Sequence, residues 1–235
     1  MPLANDFAKR YAGLRSAYGT FTASNDTRED GKASGKNITI SKELSDKDLL
    51  GLWENHLSGQ QSVGIVAIDE TNSCVWGAID VDEYQLDLKD LAIKIAKQNL
   101  PLVLCRSKSG GAHIYIFLSE PIAASMLQRK LRQIAASIGY GQAEIFPKQT
   151  KLLLDRGDRG STLNMPYFGG ENSTRYAYGK EGQALTPQEF LNYTTTIELS
   201  PKELEKLEAS PLNESIEWLD QAPPCIQHLI VQGFP

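Results

Sequence analysis

Two aspartates in an otherwise apolar stretch are the first residues of this sequence that could do chemistry. The stretch VWGAIDVD, residues 75–82, has the β-branched and aromatic residues of a buried strand, yet it contains Asp80 and Asp82. Because side chains alternate between the two faces of a strand, both carboxylates project from the same face. Like charges this close cost energy unless something neutralises them. The pair therefore predicts a positively charged partner.

A third acid strengthens this prediction. Glu144 lies in QAEIF, residues 142–146, another short apolar stretch that reads as a strand. Carboxylate oxygens are the ligands that Mg²⁺ and Mn²⁺ prefer, and these ions also bind substrate phosphates. Two such ions, about 3.5–4 Å apart, would neutralise the acids and clamp both the attacking and the leaving oxygen of a phosphoryl transfer. We therefore expect a site for two divalent ions.

A glycine turn lies between these acids in the sequence. The segment CRSKSGGAH, residues 105–113, contains two cations, a hydroxyl, a glycine pair and an imidazole, contributed by Arg106, Lys108, Ser109, Gly110, Gly111 and His113. Glycines permit positive backbone angles and close approach of a ligand, and such a set of donors can cradle phosphate. A structural hairpin turn with solvated cations would have the same pattern. The following strand places His113, Tyr115 and Phe117 on one face.

The elements that must position these residues follow from hydrophobic periodicity and turn signals. The pattern predicts an α+β fold, with a mostly antiparallel sheet and helices on one side of it. Predicted strands cover residues 63–69, 75–82, 100–107, 113–118, 142–146 and 151–154; predicted helices cover 46–57, 86–98 and 121–138. Residues 20–38 are polar and rich in Gly and Ser, which predicts a mobile loop.

Charge is unevenly distributed along the chain. The 235 residues carry a net charge of −5, but residues 101–180 carry +6 and residues 181–235 carry −7. A basic middle is typical of phosphate binding, although many basic patches are only solvated surface. The three cysteines are widely spaced, which indicates neither a disulfide framework nor a zinc finger and favours a reducing cytoplasm. The sequence has no apolar run of membrane-spanning length and no signal peptide.

The C-terminal part has its own character. From Thr186 the chain is predicted to form acidic helices that lie at the periphery of the sheet, the second with Ser200 as its cap and Pro201 in its first turn. We therefore divide the chain into a catalytic domain, residues 1–185, and a helical linker or start of a further domain, residues 186–235.

Taken together, these segments resemble a known family. Asp80-Val-Asp82, Ser109-Gly-Gly-Ala-His113 and Glu144-Ile-Phe-Pro-Lys-Gln are similar, in order and spacing, to the three motifs of archaeo-eukaryotic primases. The likeness is greatest to the primase-polymerases of phages, plasmids and other mobile elements, and it covers about residues 8–180. The segment LNMPYF, residues 163–168, also resembles the family's segment after the third motif.

The resemblance implies a fold and a set of roles. The implied fold is a catalytic sheet like an RNA-recognition motif, packed with an N-terminal α/β module. The implied metal ligands are Asp80, Asp82 and Glu144; the implied nucleotide-binding residues are Arg106, Lys108, Ser109, His113, Lys148 and Asn164. No zinc-ligand set accompanies them, so initiation of new strands by this chain alone is in question.

Three functions are compatible with these features. The first is a primase-polymerase that transfers nucleotides from dNTPs or NTPs to a 3′-hydroxyl on a DNA template during DNA replication. The second is a metal-dependent nuclease, which has no need of a triphosphate cradle. The third is a non-catalytic module that binds single strands, in which the aspartates would repel the backbone. No Walker motif is present, so a helicase or accessory domain is expected C-terminal to these residues, and no membrane partner is expected.

Overall fold

The computed structural model of the chain describes residues 2–27, 33–83 and 85–208, without the side chains of residues 22–37. The helices are α1 (Pro2–Arg10), α2 (Asp46–Leu57), α3 (Leu88–Lys97), α4 (Ala124–Ser137), α5 (Pro187–Thr196) and α6 (Pro201–Lys206). The strands are β1 (Ala17–Thr27), β2 (Ala33–Ser41), β3 (Val63–Val66), β4 (Ser73–Val81), β5 (Val103–Arg106), β6 (Ala112–Ala123), β7 (Glu144–Phe146), β8 (Thr162–Asn164), β9 (Ala177–Tyr178) and β10 (Ala184–Leu185). None of these helices is long and apolar enough to cross a membrane.

The large sheet has six strands in the order β10-β9-β5-β6-β4-β7, and its paired strands are antiparallel. Along the chain, its central part runs β4-α3-β5-β6-α4-β7, a βαββαβ unit. This order, with the first and third strands of the unit at the centre, is the arrangement of an RNA-recognition motif. The predicted α+β class and the predicted catalytic sheet are therefore confirmed.

The small sheet has four strands in the order β2-β1-β3-β8. It belongs with α1 and α2 to the N-terminal module that the resemblance implies, but its last strand comes from much later in the chain. Asn164 on β8 pairs with Gly64 on β3, which pairs with Gly19 on β1. The segment after β7 therefore returns to the N-terminal module and joins the two sheets into one unit.

Strand alternation divides the interior into two cores. The outer core lies between the large sheet and helices α3 and α4, and it contains Ile79 and Ile114. The inner core lies between the two sheets and is rich in aromatic residues, among them Trp76, Tyr115 and Trp53, which are all fully buried. Because residues two apart in a strand share a face, the inner-core face of β4 continues from Trp76 towards Asp80.

The helix starts agree with the sequence. The side chain of Ser45 accepts a hydrogen bond from the Asp48 backbone N–H, and the Asp48 carboxylate accepts one from the Ser45 backbone N–H, which is a capping box. The same reciprocal pair begins α6 at Ser200, with Pro201 in the first turn. These caps confirm the predicted starts of α2 and α6.

The predicted mobile loop at residues 20–38 is wrong for the part that the structure describes. β1 and β2 pair there as a long antiparallel hairpin, and residues 28–32 lie outside the described ranges. Gly and Ser are depleted in strands, so the polar composition concealed a hairpin whose strands are held by backbone pairing. Only Gly19 and Thr20 of β1 pair with β3, so β1 and β2 extend past the end of β3 as a two-stranded part of the small sheet.

Two other local predictions are wrong. Residues 151–154 form no strand, and Leu154 begins a short 3₁₀ turn that ends at Arg156. Pro121 does not open a helix, because β6 continues to Ala123 and α4 begins at Ala124. Proline was compatible with both interpretations, since it fits a strand end as well as a first helical turn.

The expected peripheral position of the C-terminal helices is also wrong. Phe190 on α5 is fully buried in the inner core, and Leu204 on α6 is fully buried in the outer core. Lys130 on α4 donates hydrogen bonds to the carbonyl oxygens of Glu205 and Leu207, which fixes the end of α6. The boundary at residue 185 stays a prediction, and this packing favours a catalytic unit that extends through α6.

Candidate functional site

One row of residues crosses the inner-core face of the large sheet at the end of its central strands. Asp80 on β4 pairs with His113 on β6 and with Glu144 on β7. His113 pairs in turn with Cys105 on β5. Directly paired residues of antiparallel strands project to the same face. Asp82 follows the last residue of β4, and the charges of Asp80, Glu144 and His113 all act on its pKa, so it lies beside this row. The structure thus brings together the three predicted acids and the predicted histidine.

Asp80 is the least solvated of the three acids. Its side chain is 14 % exposed, and its Oδ1 atom is buried without a hydrogen-bond partner among the described residues. The imidazole of His113 lies beside it, with Nε2 3.4 Å from that oxygen. A buried carboxylate oxygen without a partner carries a desolvation cost, so this atom requires a ligand that the described residues do not supply.

The environment of Asp82 shows that the acids repel each other. Burial raises the pKa of this carboxyl above its usual value, and the negative charges of Asp80 and Glu144 raise it further. His113 and Lys148 act in the opposite direction but do not cancel the shift. The three carboxylates are therefore close enough to share one electrostatic environment, as the strand pattern predicted.

Glu144 has a counter-charge of its own. Lys148 Nζ lies 2.5 Å from Glu144 Oε2, and both side chains are partly exposed. Lys148 follows Glu144 by four residues, after a turn at Pro147, so the sequence itself supplies this partner.

The residues present fit divalent metal by their chemistry. In the described ranges, no three His, Cys, Asp or Glu side chains already converge on one point that could hold an ion. The donor set nevertheless consists of hard carboxylate oxygens, and one of them, Asp80 Oδ1, is buried without a partner. Asp80, Asp82 and Glu144 are the residues that would hold the ions, with Glu144 released from Lys148.

His113 is held from both sides. Its Nδ1 atom lies 3.1 Å from the hydroxyl of Tyr115, and its Nε2 atom faces Asp80. Tyr115 is fully buried, and burial raises the pKa of its phenol well above the usual value, so the hydroxyl stays protonated. The ring of His113 therefore has a fixed orientation beside the acids.

The glycine turn between β5 and β6 borders the row. The Ser107 backbone donates to the Gly111 carbonyl, and Gly110 has a φ of 100°, which side-chain-bearing residues rarely adopt. A Cβ atom on Gly111 would lie 2.2 Å from the carbonyl oxygen of Val81, so only glycine allows the turn to approach β4 this closely. The hydroxyls of Ser107 and Ser109 are 3.2 Å apart at the same turn.

Lys108 connects this turn to the small sheet. Its Nζ atom lies over the ring of Phe21 on β1, 2.7 Å from the ring centroid. Burial and the positive charge of Arg175 lower the pKa of Lys108 to about 8. The β1–β2 hairpin therefore approaches the glycine turn, and the ammonium group occupies an environment that disfavours its charge.

Arg106 is not brought together with the acids. It pairs with Ala112, an outer-core residue, and alternation along β5 places it on the face opposite Cys105 and His113. Its guanidinium donates to the carbonyl oxygen of Thr174 at 3.4 Å. Strand parity directs the Cβ atom of Arg106 away from the acids, but its Nη2 atom lies 3.6 Å from the position of a Cβ atom on Gly110, so the guanidinium borders the glycine turn.

Asn164 lies on the small sheet, in a row with two glycines. Its partner Gly64 and the next residue across, Gly19, have no side chains, and the side chain of Thr162 lies over both of them. The neighbouring segment is fixed by His56, whose Nε2 lies 2.8 Å from the Pro166 carbonyl oxygen and whose Nδ1 accepts from the Val63 backbone. Leu163, the preceding residue, lies in the inner core, so strand alternation puts Asn164 on the opposite face of β8.

Arg175 is a cation that the sequence motifs did not indicate. Its guanidinium lies 5.1 Å from the ring centroid of Phe168, and its Nη1 atom is buried without a hydrogen-bond partner among the described residues. Its charge lowers the pKa values of Tyr115, Lys108 and His56, which places it beside the inner core and the glycine turn. No local pattern around Arg175 could have indicated this, because the contacts come from segments distant in sequence.

Comparison with known proteins gives one family and two structural neighbours. A family model described as the archaeo-eukaryotic primase domain of the TOTE conflict system matches residues 5–189. The polymerase domain of Mycobacterium tuberculosis ligase D, in complex with DNA, is similar at 13 % identity over 83 % of this chain and 87 % of that chain, with a TM-score of 0.40. Primase RepB′ is similar at 10 % identity over 99 % of this chain and 68 % of that chain, with a TM-score of 0.37. No curated protein sequence matches the chain. Both TM-scores are below 0.5, so the match with weight is that of the family model, which spans most of the chain.

Proposed function

The chain belongs to the archaeo-eukaryotic primase domain family of TOTE conflict systems, and from this premise we propose that it is a DNA primase-polymerase. The reaction is template-directed transfer of nucleotides from dNTPs or NTPs to the 3′-hydroxyl of a nucleic-acid strand, with Mg²⁺ or Mn²⁺. The observation that carries the proposal is the row of Glu144, Asp80 and His113 on three adjacent strands, with the glycine turn beside it.

The acids have one role in this proposal. Asp80, Asp82 and Glu144 hold two divalent ions, which, when bound, neutralise charge at the attacking 3′-oxygen and the leaving pyrophosphate. The 3′-oxygen forms a bond to the α-phosphorus, and its proton passes to water. The bond from the α-phosphorus to the bridging oxygen breaks, and pyrophosphate departs with that electron pair. The raised pKa of Asp82 falls back when the acids acquire positive partners.

The glycine turn and His113 bind the triphosphate. Ser109 and the backbone N–H groups of the turn donate to phosphate oxygens, and Lys108 adds a positive charge. His113, fixed by Tyr115 on one side and Asp80 on the other, faces the phosphates from the centre of the row. The guanidinium of Arg106 borders Gly110 and adds a further positive charge at the turn.

Lys148 and Asn164 have more distant roles. Lys148 neutralises Glu144 in the absence of metal and is free to contact the nucleotide once Glu144 binds an ion. Asn164, beside the backbone of Gly64, is in a suitable place to donate or accept hydrogen bonds with a nucleotide or template base. Both carboxamide and ammonium groups bind such polar ligands without requiring metal.

The proposed partners are a DNA template, primed or single-stranded, and an accessory or helicase domain C-terminal to these residues. The basic stretch at residues 101–180, with a net charge of +6, supports binding of a phosphate backbone. A role in DNA replication, in a phage or other mobile element, is part of the same proposal.

The test is a synthesis assay with the full chain. Primed and unprimed DNA templates are incubated with labelled dNTPs or NTPs and Mg²⁺ or Mn²⁺, and product length is measured. We expect metal-dependent, template-dependent extension of the primed template. Synthesis on the unprimed template would add de novo initiation, which the resemblance leaves in question.

Two other outcomes would replace the proposal. Shortening of end-labelled DNA without nucleotide addition would indicate the nuclease that the acids alone also predict. Tight single-strand binding with no reaction under any metal would indicate a binding module. The unpartnered Oδ1 of Asp80 argues against that last outcome, because a buried carboxylate repels a phosphate backbone unless a cation lies between them.

A further inference from the structure

One helix of the chain carries positive charge without acids. α4 contains three cations and no acid, whereas in α3 the ammonium group of Lys94 is paired with Asp90. Lys130 of α4 is used within the fold, since it donates to the carbonyl oxygens at the end of α6. Arg129 and Arg132 are exposed, and neither takes part in an ion pair among the residues that the structure describes. Residues three apart on a helix are neighbours, so these two like charges favour an anionic partner.

α4 lies beside the acid end of the row. The side chain of Gln128 donates hydrogen bonds to the carbonyl oxygens of Pro147 and Lys148, directly after the strand β7 that carries Glu144. Arg132 follows Gln128 by four residues, so it lies on the same side of the helix, one turn further on. β7 is the end strand of the large sheet. α4 therefore presents Arg132 along the edge of the sheet that Glu144 occupies.

A third cation extends this surface along the helix. Lys151 is exposed, and the next residue, Leu152, donates from its backbone to the side chain of Asn72. The carbonyl oxygen of Asn72 accepts from the backbone of Ala124, at the start of α4. Lys151 thus lies beside the first turn of the helix, and the other two cations lie further towards its C-terminal end. We call these three side chains the edge cations: Arg129, Arg132 and Lys151.

The direction of the proposed reaction brings a strand to this edge. An in-line displacement requires the attacking 3′-oxygen to lie opposite the departing pyrophosphate. In the proposed function the pyrophosphate lies at the glycine turn between β5 and β6, on one side of Asp80. The attacking strand must therefore approach from the other side of Asp80, where first β7 and then α4 lie.

The spacing of the layers indicates which nucleotides reach the edge cations. Packed layers of secondary structure are about 10 Å apart, so side chains on the exposed side of α4 begin roughly 10–15 Å from the acids. One strand of a duplex advances about 3.4 Å per nucleotide. The first phosphates to reach these cations are therefore about three or four nucleotides behind the 3′ end. This distance separates the edge cations from the metal ligands and from the triphosphate.

We propose that the edge cations bind the phosphate backbone of the primer strand, in its duplex with the template, upstream of the reacting 3′ end. Contacts to phosphate position a strand without reading its sequence, so this surface holds any primer against the acids. The assignment to a primer rests on the proposed function, whereas binding of a duplex backbone by these cations does not.

The first test is the salt dependence of binding, measured by fluorescence anisotropy with the full chain and a primer–template duplex in EDTA. The variant combines Arg129→Gln, Arg132→Gln and Lys151→Gln. Each phosphate contact contributes about 0.9 to the slope of log affinity against log salt, so the loss of three contacts should reduce this slope by about 2.7. The ratio of wild-type to variant affinity should accordingly fall about 40-fold between about 50 and 200 mM salt.

The matched control removes the same charge from other helices. Lys89→Gln, Lys97→Gln and Lys202→Gln together replace three exposed lysines of α3 and α6, and the slope should stay near that of the wild type. An equal loss of slope in both combined variants would show that only net charge matters, and the proposal would be wrong. All the substituted side chains are exposed, so melting temperatures should be unchanged. If the edge variant melts lower, Arg132→Gln alone decides, with an expected slope change of about 0.9.

The second test separates the primer from the template. Primers of increasing length are extended on one template, and KM is measured for the primed template and for dNTPs. We expect the edge variant to raise the KM for the primed template once the primer exceeds about four nucleotides, with no change for a dinucleotide primer and none in the KM for dNTPs. A loss that is the same at every primer length would assign the edge cations to the template and overturn the proposal.

Failure of this proposal and failure of the proposed function are distinguishable. Duplex binding that depends on the edge cations, in a protein that makes no DNA, removes the polymerase and leaves a duplex-binding surface. DNA synthesis with a salt slope and a primer KM that ignore the edge cations removes only this surface.

Discussion

The two ends of the catalytic row carry opposite charges, and they are neutralised in different ways. At the acid end, the ammonium group of Lys148 lies 2.5 Å from Glu144, so the protein supplies part of the counter-charge itself, and the imidazole of His113 lies 3.4 Å from Asp80. At the cation end, Lys108 and Arg175 contact aromatic rings. Burial, and after it repulsion by neighbouring like charges, raises the pKa of Asp82 at one end and lowers the pKa of Lys108 at the other.

The difference indicates which ligand each end awaits. An acid end with partial internal partners can exist without metal, and metal then competes with Lys148 and His113. A cation end without a described carboxylate has nothing to displace, so an anion binds there with less competition. A nucleotide with its metal ions brings positive charge to the acid end and negative phosphates to the cation end. In this sense the two regions form one site.

The largest effect is expected at the acid end. Asp80→Asn removes a metal ligand while it preserves the shape of the side chain, and we expect DNA synthesis to fall by at least about 10³-fold, since loss of metal stabilisation costs several kcal/mol in the transition state. The melting temperature in EDTA should rise or stay equal, because one of three repelling charges is lost. Primer extension and thermal denaturation measure the two effects.

The matched control is Asp155→Asn, which changes an exposed aspartate outside the row in the same way. It should alter neither synthesis nor melting temperature. Normal extension by Asp80→Asn would contradict the metal role, whereas a large drop in its melting temperature would show that Asp80 is held by a partner in the free protein.

The contrast between the ends also shows what the sequence could predict. The acid end was predictable, because Asp80 and Asp82 are two residues apart, which puts both on one face of a strand, and Glu144 lies in its own short strand. His113 followed from the same rule. Alternation is local, so it can be applied without knowledge of which strands become neighbours.

The cation end was only partly predictable. Lys108 and Arg106 were both found through the glycine turn; Arg106 starts on the opposite face of β5, yet its guanidinium borders Gly110. Arg175 was missed because its neighbours, Phe168 and Lys108, are brought together only by the order of strands in two sheets. The hairpin that carries Phe21 was mistaken for a loop, since its polar composition has no strand signal. Packing between distant segments, not local propensity, determines this end.

The second prediction concerns the pH dependence of the cation end. Lys108 has a pKa of about 8, so it is charged below that pH and loses its charge as the pH rises through it. We expect the tripolyphosphate affinity ratio of wild type to Lys108→Met to fall about tenfold between pH 7 and pH 9, as the protonated fraction falls from about nine-tenths to one-tenth. Calorimetry in EDTA at both pH values measures this ratio.

Arg175→Met provides the control for the cause of the shift. Without the repelling guanidinium, the pKa of Lys108 should rise, and the fall in affinity should move to higher pH. A rise in pH affects the stability of the fold in the opposite direction to its effect on tripolyphosphate affinity. A lysine whose folded pKa is depressed destabilises the fold below that pKa, and the penalty is relieved as the pH rises towards its unfolded value. A pH-independent ratio would show that Lys108 takes no part.

The third prediction tests competition at the acid end. If Lys148 occupies Glu144 when metal is absent, Lys148→Met should increase affinity for Mn²⁺, because a competing cation is removed. The pair is partly exposed, and such pairs contribute little, so the gain should be no more than about fivefold. Electron paramagnetic resonance of free Mn²⁺ measures it, with Lys151→Met, an exposed neighbour, as the matched control. A decrease in Mn²⁺ affinity would show that Lys148 supports the metal site in place of opposing it.

The smallest effect is expected from the C-terminal residues. Residues 209–235 contain three acids, Glu214, Glu217 and Asp220, and no lysine or arginine. A chain that stops after Glu208 retains α5 and α6, so it should keep its melting temperature, whereas a chain that stops after Glu189 loses the buried Phe190 and should be strongly destabilised. The chain that stops after Glu189 thus serves as the control that shows what loss of the fold looks like.

With the fold retained, removal of these three charges tests whether the cation end has a counter-charge beyond the described residues. If the acids act only through the long-range field, single-stranded DNA should bind about twofold more tightly at low salt, and the gain should vanish as the Debye length shrinks to about 8 Å near physiological salt. Tripolyphosphate affinity should then be nearly unchanged. If one of these acids instead pairs with Arg175, its removal should raise tripolyphosphate affinity several-fold. This gain in affinity should persist in salt, because an enclosed pair is poorly screened, and it should disappear in an Arg175→Met background. Fluorescence anisotropy and calorimetry across a salt series distinguish the two results. If an acid pairs with Arg175, the cation end has a counter-charge within the protein, as the acid end does, and the contrast between the two ends disappears.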